Sequence, residues 1–306
     1  MVGFTVSDLA RSVDFFRTVL DFELADRFEV NDREYDALQG VFGANARIAH
    51  LRLGEQVLEL TQYLTPQGRP IPVPSYSNDL WFQHIAIVVS DLDPAVERLK
   101  QVGVQQISTE PITIPPSNVP AAGIRAFKFR DPDGHPLELI YFPPDKRAPA
   151  WQQTDGRLFL GIDHTAISVS STEQSRRYYE ELLGLSLGGQ SFNSGETQEL
   201  LDNLFGDTVL VTALNPPIYP PHVELLNYLT PPTARPFPLD VTASDLVHWQ
   251  TTLVVEDADR AYAALQRAGS RLVSPRVASV ADSRVGFRRG FTARDPDGHA
   301  LRLVER

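Results

Sequence analysis

The sequence predicts an α+β fold built from four βαβββ modules. One observation is a strand running into a helix that occurs four times; the other is a second half that repeats the first at an offset of 163 to 166 residues. The clearest copy is Trp81 to Asp91, WFQHIAIVVSD. There, strand alternation puts Ile85, Ile87 and Val89 on one face and His84, Ala86 and Val88 on the other, so His84 points away from the apolar side.

The copies begin at Met1, His84, His164 and Gln250. Asp8, Asp91, Ser171 and Asp257 each stand seven residues later. Their short side-chain oxygens suit a helix start, where they accept from free backbone N–H groups. Each start is answered by a later strand with a polar residue between apolar neighbours: Leu58-Glu59-Leu60, Leu137-Glu138-Leu139, Val223-Glu224-Leu225 and Leu301-Arg302-Leu303. Each module therefore carries two positions on the face opposite its apolar side, both of them polar except at Met1 in the first module.

Taken in order, the first module opens on a strand at Val2 to Val6 and a helix from about Ser7, with Val13, Phe16 and Leu20 as its core stripe. Strands at Arg47 to Leu53 and Gln56 to Tyr63 flank Gly54 and Glu55, which suit a hairpin turn. The proline-rich Thr65 to Asn78 reads as a crossing between modules. The second module starts at Trp81, its helix at Pro94 to Val102 stops at Gly103, and Asp131-Pro132-Asp133-Gly134 has the residue order of a type I turn. Pro143 to Gly156 is the boundary, giving domains 1–146 and 157–306, with modules at about 1–64, 80–143, 160–229 and 246–306. LTPQGRP at Leu64 is answered by LTPPTARP at Leu229, and RDPDGH at Arg130 recurs at Arg294.

With 306 residues, 42% of them apolar, the chain is long enough for two domains with cores of their own. A net charge of −11 with three lysines argues against nucleic acid, whose phosphates need clustered Lys and Arg. The absence of cysteine excludes disulfides and thiolate chemistry. The start MVGFTVSDLARS lacks the features of a signal peptide and no apolar run is long enough to span a bilayer, so the expectation is a cytoplasmic protein with no membrane partner.

HIAIVVSD and GIDHTAISVSS at module starts, DPDGHPLEL at a module end and the βαβββ repeat resemble the vicinal oxygen chelate superfamily, which includes glyoxalase I, extradiol dioxygenases and bleomycin-resistance proteins. The resemblance covers nearly the whole chain. It implies two tandem cup-shaped domains, with inward residues of the first and last strands converging on one divalent metal. Carried over by position, the first domain offers Met1, Glu59, His84 and Glu138, and the second offers His164, Glu224, Gln250 and Arg302.

Glu59, His84 and Glu138 form a mixed N/O set suited to Fe²⁺, Mn²⁺, Ni²⁺, Co²⁺ or Zn²⁺. Met1, in the fourth place, has a thioether poorly matched to such a site: either three protein ligands suffice or a true start lies upstream. Arg302 has only donors and stays charged, so the second cup is expected to be metal-free, with Arg302 paired to Glu224. The resemblance then implies a metal-dependent enzyme of the glyoxalase or isomerase-lyase type, acting on a small substrate with two adjacent oxygens, with Glu59 or Glu138 as the base. An extradiol dioxygenase, which needs two histidines and a carboxylate, and a metal-free binding protein of the bleomycin-resistance kind are the alternatives. A monomer suffices to form both cups, and a homodimer is compatible with the sequence. Repetition of His135 and His299 after the DPDG turns favours a structural role for both. Tyr35, His50, Arg52 and Tyr63 are candidates to line the first cup, His248 is in phase with Gln250, and specificity is assigned to loops at Asn31 to Gln39 and Pro111 to Gly123.

Overall fold

The computed structural model describes residues 1–218 and 220–305. The first module comprises β1 (Val2–Thr5), α1 (Leu9–Leu20), β2 (Glu23–Val30), α2 (Arg33–Gln39), β3 (Asn45–Leu53) and β4 (Gln56–Thr65). The second comprises β5 (Gln83–Val89), α3 (Leu92–Val102), β6 (Ile112–Thr113), β7 (Arg125–Arg130) and β8 (Pro136–Tyr141). In the third are β9 (Phe159–Ser168), α4 (Thr172–Arg176, continued by a π-helical segment Arg177–Leu182), β10 (Ser186–Ser194), α5 (Glu196–Asp202), β11 (Thr208–Asn215) and β12 (His222–Thr230). The fourth has β13 (Trp249–Val254), α6 (Ala258–Arg267), β14 (Arg271–Leu272), β15 (Ala278–Ser279), β16 (Arg289–Arg294) and β17 (Ala300–Glu305).

The four anticipated helix starts are present. Asp8, Asp91, Ser171 and Asp257 each accept from a backbone N–H of the first turn, at Arg11, Asp93, Gln174 and Arg260, contacts that stabilise a helix by about 1 kcal/mol each. Gly103 ends α3 in the left-handed region, at φ 75°. Gly134 N–H closes the DPDG turn on Asp131 O at 3.0 Å. The short helices α2 and α5 are additions to the βαβββ pattern, both lying between the second and third strands of their modules.

The pairing of the modules differs from expectation. One sheet runs β14-β16-β17-β13-β1-β4-β3-β2 and the other β10-β11-β12-β9-β5-β8-β7-β6. Module 1 thus shares its sheet with module 4, and module 2 with module 3. The seams are antiparallel pairs of first strands, Gly3 opposite Gln250 and Ala86 opposite His164. Consecutive modules are joined instead through their apolar faces. Phe4, Phe16, Leu58, Ile85, Ile87, Leu99 and Leu137 share one buried cluster, and Ile167, Tyr179, Leu225, Leu265, Phe291 and Leu301 share another. Strand alternation separates the apolar face from the polar one, but all four first strands carry the same pattern, so it does not say which module completes which cup.

Candidate active site

In the second sheet the inward positions of His84, Glu138, His164 and Glu224 follow from strand period. His84 of β5 and His164 of β9 stand on the two sides of the seam, each opposite an alanine, His84 to Ala166 and Ala86 to His164. Those small residues leave room for the imidazoles. Glu138 of β8 lies beside Ala86, and Glu224 of β12 beside Ala166. His84 Nε2 is 2.7 Å from Glu138 Oε2, while His164 Nε2 is 3.7 Å from Glu138 Oε2 and 3.5 Å from Glu224 Oε2. All four residues line a cavity of about 210 Å³.

Two features test whether this set fits a divalent metal. Both ring nitrogens of His84 are buried with no aligned hydrogen-bond partner among the described residues, although Nε2 lies close to Glu138. Lone pairs aimed side by side at a common point have this arrangement; ligand atoms on a metal at about 2.0–2.2 Å lie roughly 3 Å apart at right angles. The second feature is charge. Burial alone would raise Glu138, but the neighbouring imidazoles of His164 and His84 and the charge of Lys128 hold it well below the usual carboxylate range. Glu224 and Asp163 are also lowered against their burial, mainly by His164 and His222. Burial keeps His84 low, whereas for His164 the same effect is outweighed by Glu224, Asp163 and Glu138, which push it well above its ordinary value. Three carboxylates around His164 thus call for positive charge, which a cation at this point would provide. Among the described residues, His84, Glu138 and His164 bring ligand atoms within 4.8 Å of one another, as do Asp163, His164 and His222.

A β-bulge makes the second of those groups. Ala86 pairs with His164 and Ile87 with Ile162, so Asp163 is the extra residue and turns inward beside its neighbour. Asp163 Oδ2 is 3.0 Å from His164 Nδ1 and orients that ring. His222, two residues before Glu224 on the same strand face, places Nδ1 3.1 Å from Asp163 O and Nε2 3.2 Å from Glu224 Oε1. Lys128 of β7 pairs directly across from Glu138 and also lines the cavity. Asp163, His222 and Lys128 were missed in the sequence, although Lys128 interrupts the alternating RAFKFR and His222 is in phase with Glu224.

The assignment of Glu59 to the same centre as His84 and Glu138 is corrected by the sheet order. Glu59 belongs to the other sheet and is 1% exposed. Its partner is Arg302, not the expected pairing of Arg302 with Glu224: Arg302 Nη1 donates to Oε1 and Nη2 to Oε2, each at 2.9 Å. Gln250 Nε2 donates to Oε1 at 2.8 Å, and His50 Nε2 lies 3.2 Å from Oε2. Against its burial, Arg302 and His50 hold Glu59 far below the carboxylate range. Met1 holds the position equivalent to His84, because Gly3 stands beside Glu59 as Ala86 stands beside Glu138. The Asn31 to Gln39 segment, expected as a specificity loop, instead forms α2, whose Tyr35 and Leu38 pack with Tyr63, Ile48 and Phe287 and fill this cup. The other expected specificity segment does reach a cavity, with Ile114 and Ala121 beside His84 and His164. His135 and His299 sit outside both cups, with Nε2 donating to Leu246 O and Ser168 O at 2.8 Å, a structural role in each case.

The family model described as "Glyoxalase/Bleomycin resistance protein/Dioxygenase superfamily" matches residues 1–139 and 161–303. A 2-epi-5-epi-valiolone epimerase of Actinomyces sp is 41% identical over 165 residues, covering 52% of this chain and 85% of that relative. Glyoxalase I from Zea mays shares the fold over 99% of this chain and 90% of its own, with a TM-score of 0.62 at 18% identity. A candidate dioxygenase from Bacillus subtilis superposes with a TM-score of 0.58 at 14% identity, over 99% of this chain and 83% of its own.

Proposed function

Because the chain belongs to the Glyoxalase/Bleomycin resistance protein/Dioxygenase superfamily, we propose that it is an isomerase-type enzyme that epimerises a small substrate with two adjacent oxygens. The observation that carries this reading is the meeting of His84, Glu138, His164 and Glu224 in one cavity. Two imidazoles and two carboxylates fit Fe²⁺, Mn²⁺, Ni²⁺, Co²⁺ or Zn²⁺. His84, Glu138 and His164 would hold the ion, which would supply Lewis acidity toward a substrate carbonyl and so acidify the neighbouring C–H bond.

The remaining work falls to the chain's own residues. Glu138 and Glu224 occupy related positions on opposite sides of the β5–β9 seam and flank whatever lies between them. Glu224 is the more open, its side chain 20% exposed against 8% for Glu138, and His222 holds one of its oxygens. We assign Glu224 as the base that takes the proton from the stereocentre. Delivery of a solvent proton on the Glu138 side inverts that centre, with Glu224 then releasing its proton to solvent, and return of the proton from Glu224 restores it; one C–H bond breaks, one forms, and no electron is lost. The Actinomyces relative is named an epimerase of 2-epi-5-epi-valiolone, whose ending is that of a ketone, which supports a ketone with an ionisable neighbouring C–H bond as the substrate class.

Two histidines in one cup also remove the expected objection to a ring-cleaving dioxygenase. Glu224 favours the isomerase, since it adds a second carboxylate, able to act as a base, beside the two-histidine, one-carboxylate set of His84, His164 and Glu138. The test is to load metal-free protein with each candidate metal and incubate it with 2-epi-5-epi-valiolone in D₂O. Proton NMR should show a new epimer and loss of the signal next to the carbonyl, both abolished by chelator and by His84→Ala. Absence of exchange with every metal would overturn the epimerase reading, and tight binding without turnover, insensitive to chelator, would favour the binding protein.

A further inference from the structure

Asp202, the last residue of α5, is buried and accepts three hydrogen bonds from three different elements. Lys128 Nζ of β7 donates to Oδ1 at 2.5 Å, Gln198 Nε2 of α5 to Oδ2 at 2.7 Å and Tyr228 Oη of β12 to Oδ2 at 2.8 Å. Lys128, Gln198 and Tyr228 all line the cavity that holds His84 and Glu224. One carboxylate therefore arranges three polar groups on its wall.

The chemistry of a carboxylate fixes what those groups offer. It only accepts, so the amide must turn its NH₂ toward Asp202 and the phenol must spend its proton there. Gln198 Oε1 and the Tyr228 Oη lone pairs are left as acceptors for a ligand, next to an ammonium with three donors, one of which goes to Asp202. Neighbouring Asp207 is pushed up to about 8 by its burial and by the charge of Asp202. Acceptors beside a donor suit hydroxyl groups, which both give and take a hydrogen bond. A phosphate or carboxylate would set lone pairs against the Gln198 and Tyr228 oxygens.

We propose that Lys128, Gln198 and Tyr228 form a hydroxyl-binding subsite, positioned by Asp202, that recognises a compact, uncharged, polyhydroxylated substrate away from its reacting carbon. The proposal rests on the epimerase reading of the same cavity and deepens it by naming the groups that select the substrate.

The test is isothermal titration of the metal-loaded protein with 2-epi-5-epi-valiolone, with myo-inositol as an uncharged polyol lacking a carbonyl, and with citrate as an anion. Wild type, Tyr228→Phe, Gln198→Leu and Asp202→Asn are compared. Tyr228→Phe removes one hydroxyl and keeps the ring, so it reports even if Asp202→Asn folds poorly. It should weaken both hydroxylated ligands by about twofold to tenfold, the range for one neutral hydrogen bond, and raise KM more than it lowers kcat. If myo-inositol binds and Tyr228→Phe weakens it while 2-epi-5-epi-valiolone is not turned over, the subsite stands and the epimerase reading falls. If turnover occurs but Tyr228→Phe and Gln198→Leu leave the binding constants unchanged, the subsite falls and the epimerase reading stands. Wild type that binds neither polyol, or prefers citrate, overturns the subsite.

Discussion

Replacing Glu59 by glutamine removes the charge that balances the Arg302 guanidinium inside the first sheet. Both side chains are 1% exposed, and Glu59 accepts two bonds from Arg302 and one from Gln250. A glutamine keeps one carbonyl oxygen for those donors and turns an NH₂ toward them. Breaking one partner of a buried ion pair costs about 3–5 kcal/mol, most of it from the charge left behind. A chain of 306 residues unfolds with an entropy of about 0.6 kcal/mol/K, so that loss lowers the melting midpoint by about 5–8 °C. Glu59→Leu combined with Arg302→Met removes both charges and should recover most of it, since apolar replacements of buried pairs are often neutral. The assay is thermal unfolding followed by circular dichroism, with metal content measured by plasma mass spectrometry on the same samples. Glu59→Gln should retain its metal. Loss of metal with an unchanged midpoint would return Glu59 to the metal centre and refute the partition of the two cups, as would a double variant less stable than the single one.

Metal content should vanish with His84→Ala and also with His164→Ala; retention by either variant would remove that histidine from the centre. Asp163→Asn, which weakens the hold on His164 Nδ1, should lower metal affinity by about 10–100-fold in a chelator competition, and unchanged affinity would make the bulge irrelevant to the centre. His248 is held neutral, pushed down to about 3 by its burial and by the charge of Arg294. The unfolded chain takes up that proton below pH 6.5 and the folded chain does not, so stability present above pH 6.5 falls as the pH drops, by up to about 1.4 kcal/mol per unit. Urea midpoints between pH 6.5 and 5 should therefore fall more steeply for wild type than for His248→Gln, and parallel curves would contradict the assignment.

The local grammar of the chain was legible without coordinates. Asp8, Asp91, Ser171 and Asp257 cap helices because a short oxygen before an amphipathic run has one good use, and the phase of His84, Glu138, His164 and Glu224 against their apolar neighbours sets their face. Charge also held a clue. Of the ways to share eight inward positions between two cups, the observed one gathers two histidines and two carboxylates in one and lets Glu59 neutralise Arg302 in the other.

Only the tertiary structure decided which modules share a sheet. Strand period is a property of one strand, whereas the partner across a seam depends on how β9 returns to β5 and how β13 reaches β1, contacts far apart in sequence. The same long-range packing turned α2 into the plug of one cup, and the bulge that turns Asp163 inward depends on the register of β9 against β5. The sequence determined the inward face of each strand; the sheet pairing determined which of those side chains meet and added Asp163 to them.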